Sequence, residues 1–234
     1  MKSTALTIIF ATFAALGACG SAHSHADNFA DLTPRGKVEV AERATADVKS
    51  SRVVVDGALD GMPVHFTMLF DRAGRCLASG SYGEDGQVEV VRDGNLTYIL
   101  GNAAFWNISR PGRGEEIVRI SGSRWVSAPA GDSGSSFCDD STSDRAELAN
   151  ATVNLVKKST LNGLPTEIID VEGQQRTRYW IRAAYPHYVL RSQSLEPNQP
   201  ATVTISDFGT SAKVAVPGKG ETIDVSDLNA QLAP

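Results

Sequence analysis

The chain has little cysteine, little histidine, few aromatic residues and no surplus of basic charge, and beyond Leu16 it has no long apolar run. Each shortage closes off a class of function. With 22 Lys and Arg against 27 Asp and Glu, a formal charge of −5, it lacks the basic patch that a nucleic-acid partner requires. Adsorption to anionic lipid by charge alone is disfavoured for the same reason. Neither Cys76 nor Cys138 has a second Cys or a His two to four residues away, so the spacing of a structural zinc site is missing. His23 and His25 form an H-x-H pair, but two ligands on a small, polar segment make a poor site. No metal and no cofactor are expected. Aromatic content is 7%, and no Leu/Ile/Phe run advertises a large apolar pocket.

What is present begins at the N-terminus. Lys2 precedes an apolar run from Ala5 to Leu16 in which Thr7 and Thr12 are the polar exceptions. That run is shorter than the roughly 20 residues of a membrane-spanning helix, and small residues follow it, the layout of a secretory signal. Leu16-Gly17-Ala18-Cys19 resembles the lipobox of bacterial lipoprotein signals: an aliphatic residue, two small ones, then Cys. The resemblance implies a signal peptide over residues 1–18 and a diacylglyceryl group on Cys19, which becomes the new terminus. A chain so processed is anchored to the outer side of the bacterial cell membrane by lipid, because two or more acyl chains hold firmly where one does not. Residues 19–34, rich in small and polar side chains, read as a tether.

With Cys19 lipidated, Cys76 and Cys138 remain as an even pair, which usually oxidises outside the cytoplasm. Closing a loop of that length stabilises a fold by about 4 kcal/mol on the chain-entropy estimate. Two buried free thiols are the alternative.

Past the tether, Pro34 to Ser50 carries Val38, Ala41, Thr45 and Val48 at helical spacing, with Pro34 suited to an early helical position. From Val53 the pattern becomes period two. About five strands follow, punctuated by Asp60-Gly61, Arg72-Ala73-Gly74, Gly83 to Gly86 and Asp93-Gly94-Asn95, as expected of an antiparallel meander. Ala103–Trp106 and Glu115–Ile120 read as short helices, Pro129 to Ser143 as a Gly/Ser/Asp loop carrying Cys138. Strands resume from Ala151, with Lys213–Val216 expected to be the final one and Ile223–Leu232 a tail. Composition does not break anywhere along residues 35–234, which are expected to form one domain.

The layout as a whole is similar to the LolA-like lipoproteins of bacterial envelopes, in particular the LppX/LprG group. The residues that carry the resemblance are, in order, the lipobox, the helix ending near Val48-Lys49-Ser50, and Gly94-Asn95-Leu96-Thr97-Tyr98 with Phe105-Trp106. Gly122-Ser123-Arg124-Trp125, Ala201 to Gly209, Val214-Ala215-Val216-Pro217 and Ile223-Asp224 complete it. The resemblance implies an α+β fold. Its core is one strongly curved antiparallel sheet of about 10–11 strands, an unclosed half-barrel with helices covering the concave face. It also implies an apolar cavity for the acyl chains of lipids or lipoproteins. Val55, Phe66, Met68, Phe70, Val88, Val90, Tyr98 and Trp180 are the residues expected on the concave face, as core or as cavity wall.

Other motifs lead less far. Gly131-Asp132-Ser133-Gly134 matches a serine-protease nucleophile run, but no His stands in the setting its base would need. Asp207-Phe208-Gly209 reads as a strand end with a turn, and His187 as a surface or capping residue. The expected function is that of a monomeric, non-enzymatic, lipid-anchored carrier of acylated molecules. The alternative is an envelope protein-interaction module without a lipid ligand.

Overall fold

The structure is a computed structural model that describes residues 28–59, 61–130, 138 and 145–232. The expected signal peptide, Cys19, His23, His25 and the Gly131–Gly134 run lie outside the described residues. The elements are α1 (Pro34–Ala46), β1 (Ser51–Leu59), β2 (Met62–Phe70), β3 (Cys76–Tyr82), β4 (Gly86–Asp93), β5 (Leu96–Gly101), α2 (Ala103–Ser109) and α3 (Gly114–Ser121). They continue with β6 (Trp125–Pro129), α4 (Arg145–Asn150), β7 (Thr152–Leu161), β8 (Leu164–Glu172), β9 (Arg176–Arg182), β10 (Val189–Ser194), β11 (Ala201–Ser206), β12 (Thr222–Asp224) and α5 (Val225–Leu232). The fold is α+β. Its described residues fall into two compact units, one from residues 28–48 with 145–205, the other from residues 49–130 and 138 with 206–232.

In the first unit, β11, β10, β9, β8 and β7 lie side by side, and each neighbouring pair is antiparallel. Asn162 and Gly163 both have positive φ (50° and 80°), the type I′ geometry whose twist matches the β7–β8 hairpin it closes. Helix α1 begins where the sequence signals it. The Thr33 hydroxyl accepts the Gly36 N–H at 3.2 Å, and Pro34 follows, where its missing N–H costs nothing. It ends at Ala46, earlier than the periodicity predicts. There the Thr45 hydroxyl donates to Ala41 O and accepts the Val189 N–H at 2.8 Å, tying the last turn to β10. Its buried stripe of Lys37, Val38 and Ala41 meets Ile169, Val171, Ile181 and Val189.

Part of the stretch read as tether is described. Phe29 to Asp31 form a 3-10 turn, and Phe29 is only 5% exposed, stacked on His187 with ring centroids 3.7 Å apart. His187 is therefore buried, not at the surface: with an aromatic face supplied by Phe29 and the Arg182 carbonyl 3.1 Å from Nδ1, its ring has partners that its sequence neighbourhood does not reveal. Beside it, Lys37 is buried and paired with Glu167 at 2.7 Å, and its ammonium also lies 5.4 Å from the Phe29 ring centroid.

In the second unit β1 to β5 form the expected antiparallel meander, continued by β6. Two expectations for its end are corrected. Lys213–Val216 is not a strand, although the Val214 N–H reaches Asp71. The tail is structured: β12 pairs in parallel with β6, and α5 follows. Parallel pairing needs a long return connection, which short-range turn signals do not announce. Cys76 and Cys138 are joined in a disulfide, with Cα atoms 5.9 Å apart. It attaches residue 138 to the start of β3, where Arg92 Nη1 also donates to Cys138 O at 3.4 Å.

Candidate functional site: an apolar sheet face and the cleft at its end

Register decides which side chains share a face, because side chains alternate along a strand. One row crosses seven strands of the second unit: Val53, Met68, Ala78, Val90, Ile99, Val126 and Ile223 face one another in turn. The neighbouring row is Val55, Phe66, Gly80, Val88 and Gly101, and the next is Gly57, Val64, Tyr82 and Gly86. Helix α2 covers this face. A Cβ on Gly101 would lie 2.4 Å from Phe105 Cδ1, so glycine there is what lets the Phe105 ring lie down on the strand. Phe105 and Trp106 meet edge to face at 5.3 Å. Helix α3 packs against α2 and α5, and Ile117, Leu228 and Leu232 are buried.

The third row runs out into an open cleft of about 450 Å³. Its walls are Gly61 and the start of β2 (Met62, Pro63), the β3–β4 connection with its flanking residues (Tyr82 to Gly86) and the outward side of α2 (Ala104, Ile108). Asn102 sets these walls. Its side-chain oxygen accepts the Phe105 N–H at 2.9 Å, capping α2, and the Gln87 N–H at 3.0 Å, while its amide donates to Asp85 O at 2.7 Å. One side chain thus fixes the helix against the turn. Ile108 is 37% exposed and rests over Gly83 and Gly86, where added Cβ atoms would lie 3.4 and 3.3 Å from its Cδ1. The acidic pair Glu84-Asp85 is exposed at the rim, so the cleft is an apolar slot with a negatively charged lip. The cleft is a groove open to solvent, not an enclosed cavity.

Of the residues expected on the concave face, Val55, Phe66, Met68, Val88 and Val90 stand together on this face and are buried. Phe70 continues their parity at the far end of β2 and is half-buried. Tyr98 is on the opposite face, in the row Leu69, Leu77, Val91, Tyr98 and Ser127. The inward residues of β5 are Thr97 and Ile99. Alternation could not place β5, since Leu96, Tyr98, Ile99 and Leu100 are apolar at both parities. Trp180 belongs to the first unit, on β9 opposite Ile168, with Arg191 over its ring at 5.7 Å. None of the eight lines the cleft. Its wall residues come from strand ends, a turn and a helix, which strand alternation alone does not bring together. The readable signals were Asn102 before a helical run and an isoleucine on the polar side of that helix.

The remaining motifs are structural where they are described. Asp207 and Gly209 have positive φ (54° and 74°), and the Gly209 N–H donates to Ser50 O, so Asp207-Phe208-Gly209 is a turn. His65 contacts Asp56 across the β1–β2 pair on an exposed surface. Among the described residues no group of three or more His, Cys, Asp or Glu is placed to hold a metal, and no helix is long and apolar enough to cross a membrane.

The fold defines the class: an α+β fold built on antiparallel strands with short helices. Two solved structures share it. Lipoprotein LppX of Mycobacterium tuberculosis is 12% identical and aligns with a TM-score of 0.51 over 78% of this chain and 98% of its own. LprF of Mycobacterium bovis is 16% identical, with a TM-score of 0.52 over 79% of this chain and 96% of its own. The likeness is one of fold, and it meets the resemblance to the LppX/LprG group that the sequence motifs carry. No protein-family model matches the chain, and no curated protein matches it in sequence.

Proposed function

We propose that this chain is a lipid-anchored protein of the bacterial cell envelope that holds an acyl chain of a lipid or lipoprotein, without covalent chemistry. The observation that carries the reading is the cleft: an apolar slot of about 450 Å³ at the end of a continuous apolar sheet face. An acyl chain seated between Met62, Pro63, Tyr82, Ala104 and Ile108 gains about 0.8 kcal/mol per methylene removed from water. The acidic lip favours a ligand whose head is neutral or cationic over one bearing phosphate at the mouth. Kinship of fold with two mycobacterial proteins, one of them called a lipoprotein, is in keeping with this assignment. Cleavage after Ala18 and lipidation of Cys19 complete it.

The test is direct. The chain is purified, extracted and examined by lipid mass spectrometry, then titrated with a fluorescent fatty acid. Ala104→Trp, which fills the slot, should abolish uptake while leaving the thermal unfolding midpoint nearly unchanged. Absence of both co-purifying lipid and fatty-acid uptake in the unsubstituted chain refutes carriage. A second reading, an interaction module, has its own observation: Leu155 and Val156 on β7, and Leu164 at the start of β8, are each about 40% exposed, with β7 at the end of the strand order. Cross-linking in cells that returns one dominant protein at β7, with no lipid in the cleft, would favour it.

A further inference from the structure

Phe29 is buried against the β9–β10 connection, and this contact fixes where the chain coming from Cys19 joins the folded protein. Whatever their conformation, residues 19–28 reach at most about 35 Å. A lipid on Cys19 therefore keeps Phe29 within that distance of the bilayer. The loop that receives Phe29 reads Ala183-Ala184-Tyr185-Pro186-His187-Tyr188, without Lys, Arg, Asp or Glu. Inside it, His187 is stacked on Phe29, and Tyr185 meets the edge of the same imidazole at 6.2 Å. Tyr185 is nevertheless 77% exposed, and Ala184 beside it is exposed as well. An uncharged loop with an exposed tyrosine at its tip, one ring away from the root of a lipid tether, has the chemistry of the membrane–water interface. There a phenol keeps its ring among acyl carbons and its hydroxyl among headgroups. The opposite end of β10 leads into Glu196-Pro197-Asn198-Gln199, a polar turn about 20 Å away along the strand.

We propose that the β9–β10 loop is a second membrane contact, with Tyr185 resting in the headgroup region of the bilayer that holds the anchor. It rests on the reading of Cys19 as lipidated. The loop converts a one-point attachment into an oriented one, so that the first unit presents the Phe29 side to the membrane and its β10–β11 turn to the medium.

The test places a photo-reactive benzoylphenylalanine at Tyr185 or, as control, at Asn198, in the full chain expressed in bacterial cells. Membranes are irradiated, and lipid adducts are counted by mass spectrometry together with the mass of the N-terminal peptide. Lipid adducts at 185 should exceed those at 198 by at least about tenfold. Equal or fewer adducts at 185, with the N-terminal peptide carrying lipid, overturn the loop contact while leaving the anchor intact. A protein adduct at 185 in place of lipid overturns it in favour of a partner. An unmodified N-terminal peptide overturns the anchor, and the loop contact with it, but leaves acyl binding in the cleft to its own assay.

Discussion

Asp71, at the end of the β2–β3 hairpin, should be worth several kcal/mol at neutral pH and progressively less in acid. Its Oδ1 accepts the Ala73 and Arg75 N–H groups at 2.8 and 3.1 Å, and its Oδ2 accepts Arg75 Nε at 2.9 Å and the Val214 N–H at 3.3 Å. Asp71→Asn keeps the shape. If its carbonyl serves the two turn amides, its NH2 group then faces two donors. The charge-assisted bond to Arg75 is worth about 1.5–3 kcal/mol, and a buried N–H left unpaired costs about 1–3 kcal/mol. A loss of about 3 kcal/mol is expected. Burial raises the Asp71 pKa, but the hydrogen bonds from Arg75, Val214 and Ala73 and the Arg75 charge outweigh it, holding the carboxyl below its ordinary value. A carboxylate depressed in the folded state stabilises above its unfolded pKa of about 3.9, and that stability disappears as pH falls through the folded value. Urea titrations of both proteins at about pH 7 and in steps below about pH 4 measure the difference. A gap under about 1 kcal/mol at neutral pH, or one that does not narrow in acid, refutes the reasoning.

Cys76 and Cys138 should resist alkylation in the native chain until reductant is added, and Cys138→Ser should lower stability by about 4 kcal/mol or less in urea titration. Lys37→Met leaves Glu167 buried without its ion partner and should cost about 3–5 kcal/mol, most of it recovered in the double variant with Glu167→Leu; a double-mutant cycle reads the coupling. Asn102→Ala should cost about 1–2 kcal/mol, weaken fatty-acid uptake with it, and raise hydrogen exchange at Phe105 and Gln87, the two amides it accepts. Gly101→Ala forces Phe105 off the strand and should cost about 1–3 kcal/mol by thermal unfolding, with a change in near-ultraviolet dichroism from the Phe105–Trp106 pair.

The sequence by itself determined the local elements. Thr33-Pro34 announces α1, tight turns at Gly74, Gly83 and Gly94 space the meander, and β2 alternates so regularly that Val64, Phe66 and Met68 could be placed on one face in advance. These are signals carried within a few residues, where one periodicity or one backbone angle decides. Tertiary structure decided what depends on distant partners. Tyr98 turned outward because β5 is apolar at both parities, so only pairing with β4 and β6 could choose its face. His187 became buried because Phe29, far away in the chain, lies on its ring. The tail became a strand because β6 offered it a parallel edge. The cleft likewise exists only where the ends of strands, a turn and a helix converge, held by Asn102. Sequence spacing encodes which way a side chain points from its own backbone, and the backbone that comes to face it is chosen by the fold.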